Sequence, residues 1–175
     1  LAIEVYKDII KQDYNSQTTI SAILEMGEAL EKKSISSKFD MPISKYVYNN
    51  QILNSPYYYT DDKNLAILNE AITLYDSLYS ISRGSDAGFR LAEIRFTLLN
   101  DLNQAFNIYK DCIKFSKNKS IKFQALLRLI DIMIAKGNLE EAKEMLIENL
   151  AIYKLPEESN LLAIKNIQID FFNVE

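Results

Sequence analysis

Ser116 and Lys119 stand in Ser-x-x-Lys spacing, the arrangement in which an amine activates a hydroxyl nucleophile. The companion motifs of that chemistry are absent and Ser116-Lys117-Asn118-Lys119 reads as a turn, so the pair is read as part of a connection. Asn118-Lys119-Ser120 matches a glycosylation sequon by pattern alone. Glu140, Glu141, Glu144 and Glu148 could supply paired carboxylates, but their spacing puts them on the solvent side of one helix, within reach of Lys143. Asp61-Asp62 suits a helix cap better than half of a metal site. With 1 Cys and no His, the chain has no internal disulfide, no Ser-His-Asp or Cys-His nucleophile and no imidazole or multi-thiolate metal ligand set. Its 4 Gly, at 27, 84, 88 and 137, supply neither a dinucleotide loop nor a phosphate loop. A non-enzymatic protein without cofactor or metal is expected.

The elements that hold these residues must then carry the function. A chain of 175 residues buries roughly 70% of its unfolded surface and folds without staples. Its 20 Lys and Arg against 24 Asp and Glu give a formal charge of −4, which argues against a phosphate-binding surface and hence against nucleic acid as a partner. No apolar run approaches the ~20 residues that span a bilayer. The chain opens Leu-Ala-Ile-Glu-Val-Tyr without an initiator Met, so an upstream portion of a longer protein is expected. Nothing in the sequence fixes a compartment.

Helical periodicity prevails and strand-like alternation appears nowhere over a useful length, so the expected fold class is all-α. Segment 61–81 starts at a candidate cap, Asp61, carries Leu65, Leu68, Ile72, Tyr75 and Tyr79, and is expected to end at Gly84 in the left-handed conformation. A helix after Ser85 or Asp86 runs to Asn100-Asp101, with Phe89, Ala92, Glu93, Phe96 and Leu99. Others are expected at about 102–116, 120–136, 138–154 and 157–172. Asn138 and Glu141 suggest a capping box at the fifth, and Pro156 with Glu157 and Glu158 suits the start of the last.

The chain also resembles itself. A shift of 37 lays Phe89, Ala92, Phe96, Asn100, Asp101, Ala105 and Tyr109 on Leu126, Leu129, Met133, Gly137, Asn138, Ala142 and Leu146. A shift of 34 lays Leu68, Ala71, Leu74, Tyr75 and Leu78 on Leu102, Ala105, Ile108, Tyr109 and Cys112, and Ala2, Tyr6 and Ile9 repeat the signature. Helix pairs recurring every ~34 residues, with a small residue at the crossing and an aromatic four residues on, resemble the tetratricopeptide repeat family. Unit 123–156 matches best. In unit 86–119 a large Glu93, and in unit 123–156 Ile130, stand where that family has a small residue.

The resemblance implies an α-solenoid of antiparallel helix pairs, a single domain over 1–175. Within it 1–33 is a partial repeat, 34–60 an irregular Tyr-rich segment, 61–156 the best repeats and 157–175 a C-terminal helix. Ala71, Ala105 and Ala142 let paired helices approach, and Tyr75, Tyr109 and Leu146 fill the groove one turn on. Between Pro42 and Pro56 a short helix is expected at about 43–53. Tyr46, Tyr48, Tyr57, Tyr58 and Tyr59 there are read as packing for an irregular connection, with an aromatic hot spot for a partner as the sharper alternative.

A solenoid of this kind implies a concave surface, lined by the first helices of each pair, that binds a protein or peptide. Its outward positions are read as Arg90, Ile94 and Thr97, then Leu127, Asp131 and Ile134, and less directly Leu162, Asn166 and Ile169. Paired lysines and asparagines that grip a C-terminal carboxylate are missing from this set. The expectation is a scaffold binding a protein segment by apolar contacts flanked by Arg90 and Asp131. The alternative is a structural segment of a larger or self-associating assembly, its groove filled by flanking helices or a second copy.

Overall fold

The computed structural model describes residues 2–12, 17–36 and 62–173. Among them every regular element is helical. We number the α-helices α1 (Ala2–Gln12), α2 (Gln17–Ser36), α3 (Asp62–Ile81), α4 (Asp86–Glu93), α5 (Leu102–Phe115), α6 (Lys119–Ala135), α7 (Leu139–Leu150) and α8 (Pro156–Phe172). A π-helical turn, Ile94–Leu98, continues α4. The helix expected at 43–53, the five tyrosines at 46, 48, 57, 58 and 59 and the cap at Asp61 lie outside the described residues.

Each α-helix packs on the next in order, and α4 meets α6 and α6 meets α8 across the intervening helix. Periodicity explains the burial. On α3 Leu68, Ala71, Tyr75 and Leu78 recur every three or four residues and are buried together. The three alanines expected at crossings, Ala71, Ala105 and Ala142, are all 0% exposed, and Tyr75, Tyr109 and Leu146 are closed over beside them. Helix α6 is apolar on two sides. Ile121, Ala125, Leu129 and Ile132 join a first core with α2 to α5, while Phe123, Leu126, Ile130 and Met133 join a second with Ala142, Leu146, Tyr153, Leu162 and Ile169.

The helix ends correct several expectations. Ser85 Oγ accepts the Gly88 amide at 3.3 Å, and Asp101 Oδ1 accepts the Gln104 amide at 3.1 Å, both ordinary N-caps. Gly84 is not left-handed. Its missing Cβ instead makes room for the end of α5, since an added Cβ would lie 2.3 Å from the Ser116 amide nitrogen. Among the described residues the left-handed ones are Asn100 (φ 52°) and Gly137 (φ 76°), at the two turns that the shift of 37 superimposes. At Gly137 the motif is complete: Asn138 N–H donates to the Met133 carbonyl at 2.9 Å and Gly137 N–H to that of Ile134 at 3.0 Å. Asn138 and Glu141 do not form a capping box, because Glu141 reaches the Asn138 side-chain amide, at 3.5 Å, rather than its backbone. The equivalent half-box occurs at α8, where the Leu155 amide donates to Glu158 at 3.3 Å ahead of Pro156. Lys143 pairs with Asp170 of α8, not with its neighbouring glutamates.

The π turn revises the internal alignment. Before it, burial on α4 matches α6 at a shift of 38: Ala87, Leu91, Ala92 and Ile94 correspond to Ala125, Leu129, Ile130 and Ile132, all buried. Beyond it, Asn100 and Gly137 correspond at 37. One extra residue in the first unit is absorbed by the wider turn, marked by the Leu99 amide donating to the Ile94 carbonyl five residues back. Ala92, rather than Glu93, therefore occupies the place that Ile130 holds on α6.

Candidate functional site

That one-residue correction frees Glu93 for another task. It sits beside the crossing of α4 with α5, where Tyr109 Oη donates to Glu93 Oε1 at 2.5 Å. From α6, Arg128 clasps the same carboxylate, Nε to Oε1 at 2.8 Å and a terminal nitrogen to Oε2 at 3.3 Å. This fork-on-carboxylate contact is the strong form of ion pair. A further nitrogen of Arg128 lies 3.4 Å from Asp131 one turn on, and Asp131 in turn accepts from Lys165 of α8. The same arrangement appears at the other end. Tyr75 Oη on α3 donates to Glu31 of α2 at 2.9 Å, and Arg90 of α4 lies 3.3 Å from Glu28 and 3.9 Å from Glu31.

A basic residue on each of α4, α6 and α8 thus reaches back to an acid on α2, α4 and α6. In both complete steps a tyrosine from the intervening helix donates to that acid. Arg128 and Lys165 are 37 apart and Arg90 and Arg128 38, the shifts that superimpose the helices themselves.

Burial sets the protonation of the network. Glu31 is pushed above the usual carboxylate range by desolvation, which outweighs the Arg90 charge and the Tyr75 hydroxyl that favour ionisation. For Arg128 desolvation opposes the charge, but the Glu93 carboxylate prevails and holds the guanidinium protonated beyond its ordinary value. Tyr75 and Tyr109 are raised by burial and by the acids they bond, so both remain donors. Burial pushes the Cys112 thiol up to about 12, leaving it no nucleophilic character.

The residues read from sequence as an outward row divide. Arg90, Thr97, Leu127, Asp131 and Ile134 are partly exposed, but Ile94 is 1% exposed and lies in the first core. The reason is spacing: Ile94 follows Ala87 and Leu91 by seven and three residues, on the buried side of α4. Leu162 and Ile169 are likewise buried in the second core, and only Asn166 of that trio is partly exposed. Arg90 and Asp131 are held in ion pairs within the chain rather than standing free. Thr97 Oγ1 donates to the Glu93 carbonyl at 2.6 Å, inside the π turn.

No family model, curated protein or solved structure matches the chain.

The sequence pattern singled out Glu93 only as a large residue at a helix crossing and gave no role to Glu31, Arg128 or Lys165. Four arginines occur in the chain, and two of them recur at the repeat spacing; that was the available signal. The motifs it set aside are structural. Ser116 is buried with its Oγ accepting from the Asn118 amide at 3.1 Å, and Asn118 caps α6 through the Ser120 amide at 2.9 Å. Among the described residues, no group of three or more His, Cys, Asp and Glu is placed to hold a metal ion, and no helix is long and apolar enough to cross a membrane.

Proposed function

We propose that this chain is a non-enzymatic protein-binding scaffold of the tetratricopeptide-like kind, in which α2, α4, α6 and α8 are first helices and α3, α5 and α7 their partners. Support comes from the order of packing, in which α4 meets α6 and α6 meets α8 although each pair is separated by another helix. In such an array the first helices stand side by side and form one continuous surface.

The single observation that carries the reading is the charge ladder Glu31–Arg90, Glu93–Arg128, Asp131–Lys165, which runs across those helices in one direction. It neutralises the surface internally and fixes the spacing of the rows. Partly exposed Leu127 and Ile134 flank Asp131 on α6, three to four residues on either side. The ligand class that fits is a protein segment docking mainly by apolar contacts, with the ladder supplying orientation rather than net charge.

The experiment is selection of peptides from a displayed library on the immobilised chain, followed by hydrogen exchange on the strongest complex. Protection confined to α4 and α6, and loss of binding in a folded Leu127→Glu variant, are expected. Binding that survives Leu127→Glu overturns the site.

A further inference from the structure

Ile81, Phe115 and Ile152 fall at one place in three successive units, at the same shifts of 34 and 37 that lay Tyr75 on Tyr109 and Tyr109 on Leu146. Two residues on, Arg83, Lys117 and Lys154 share one place as well. The passage out of each second helix thus repeats one pattern: an apolar residue, a spacer, then a cation. The apolar members are 59%, 47% and 59% exposed in order, and all three cations are exposed.

Contacts between the turns set them side by side. Gly84 lies against the backbone of Phe115 and Ser116, which leaves no room for a Cβ. Lys119 Nζ stands 5.4 Å over the Tyr153 ring and 3.6 Å from Glu158. One edge of the helix stack therefore carries a row of alternating apolar and cationic side chains. Its exposure does not come from the ends of the sequence. Helices α3 and α5 are inner ones, each packed on a helix to either side, and a further repeat would stack on a helix face rather than across these turns.

The chemistry of the row points to its partner. The equivalent stretches 81–86, 115–120 and 152–157 hold the cations Arg83, Lys117, Lys119 and Lys154 against the acids Asp86 and Glu157, a local positive excess in a chain of net charge −4. Lys117 and Lys154 make no ion pair with another described residue. The nearest further acids are occupied, Asp111 by the Tyr79 hydroxyl at 2.6 Å and Glu158 by the Leu155 amide and Lys119. Lys114 adds a cation 5.0 Å over the Phe115 ring. Because another helix lies between successive second helices, the three apolar side chains stand on the order of 10 Å apart. At that spacing they do not wall one closed pocket of the kind that anchors a peptide side chain. Entering a lipid interface separately, each is surrounded by acyl chains while the cation beside it meets an acidic headgroup.

We propose that this edge docks on an anionic membrane surface, with Ile81, Phe115 and Ile152 entering the interfacial layer and Arg83, Lys117 and Lys154 pairing with acidic headgroups. Such a contact needs no spanning helix. It goes beyond the peptide-binding reading and uses none of its residues.

Flotation of the full chain with phosphatidylcholine vesicles, with and without phosphatidylserine, tests it. The wild type should float with the phosphatidylserine vesicles, lose binding as salt rises, and stay behind with phosphatidylcholine alone. Lys117→Glu combined with Lys154→Glu, and separately Ile81→Ser combined with Ile152→Ser, should each weaken partitioning about tenfold or more. Helicity by circular dichroism should be unchanged, because all four side chains are exposed. The chain has no Trp, so Phe115→Trp supplies a single fluorophore whose emission should shift to the blue on the acidic vesicles and only there. A wild type that leaves the acidic vesicles unbound overturns the proposal and assigns the row to an acidic protein partner. Full binding by either double variant, or an emission that does not move on bound vesicles, overturns it as well. Neither result touches the Leu127 test.

Discussion

The guanidinium of Arg128 on α6 lies 2.8 Å from the carboxylate of Glu93 on α4, and the hydroxyl of Tyr109 on α5 donates to that same carboxylate at 2.5 Å. One acid thereby joins three helices that the hydrophobic core alone would leave free to slide. Core packing is non-directional, whereas a forked guanidinium fixes both distance and angle.

Removing one member of this group should therefore cost more than removing two. Arg128→Met leaves the Glu93 carboxylate desolvated and short of its strongest partner, which for a buried pair costs about 3 to 5 kcal/mol. Adding Glu93→Leu removes the stranded charge, so the double variant should recover much of the loss. Urea unfolding of both variants measures this. Additive losses would show that the two side chains do not act as a unit.

Glu31 gives the fold a pH dependence of definite sign. It is 3% exposed and faced by Tyr75 of α3, by Arg90 and Glu93 of α4 and by Glu28 of its own helix. Its folded pKa is raised above the ordinary 4.5, first by desolvation. The folded protein therefore binds this proton more tightly than the unfolded chain does. That contribution is complete below 4.5 and is lost as pH rises through the folded value. Glu31→Gln should flatten the decline in stability above 4.5 relative to the wild type. Parallel profiles for the two proteins would contradict the burial argument.

Cys112 is 0% exposed and its thiol is pushed up to about 12 by burial and by the carboxylates of Asp111 and Asp86. It should resist a disulfide reagent in the native state and react fully in denaturant. Measured labelling rates then report opening of α5. Rapid native labelling would require that the α3–α5 packing is not closed.

How much of this was legible in the sequence depends on the physics involved. Helix positions came from periodicity and turn residues, which are local, and Asn100-Asp101 and Gly137 marked helix ends, although the left-handed conformation was expected at Gly84 and is found at Asn100 and Gly137 instead. The register of α4 did not come out, because a one-residue insertion absorbed by a π turn leaves the apolar pattern nearly unchanged while moving Ala92 into the place assigned to Glu93. Ile94 was misplaced as outward when periodicity puts it with Ala87 and Leu91. The charge ladder joins residues 35 apart at Glu93–Arg128. Composition cannot reveal such a pairing, and only the recurrence of basic residues at Arg90, Arg128 and Lys165 hinted at it. Gly84 was read as a conformational device, but it serves close approach to Ser116, a tertiary fact.

The crossing of α6 with α7 offers the most direct test of the packing. Ala142 is 0% exposed, and Ile130 and Leu146 are buried in the same core. A larger side chain there cannot turn out to solvent, and the neighbours belong to helices already tied by Arg128, Asp131 and Lys165. Ala142→Phe should overpack this point and destabilise by about 1 to 3 kcal/mol. Ala142→Ser adds only one oxygen and should cost less, with the hydroxyl free to bond back to the Asn138 carbonyl one turn earlier. Thermal melts of both variants against the parent decide the matter. An Ala142→Phe protein that melts with the parent would mean that α7 does not lie against α6 at this residue, and the pairing of first and second helices would fall with it.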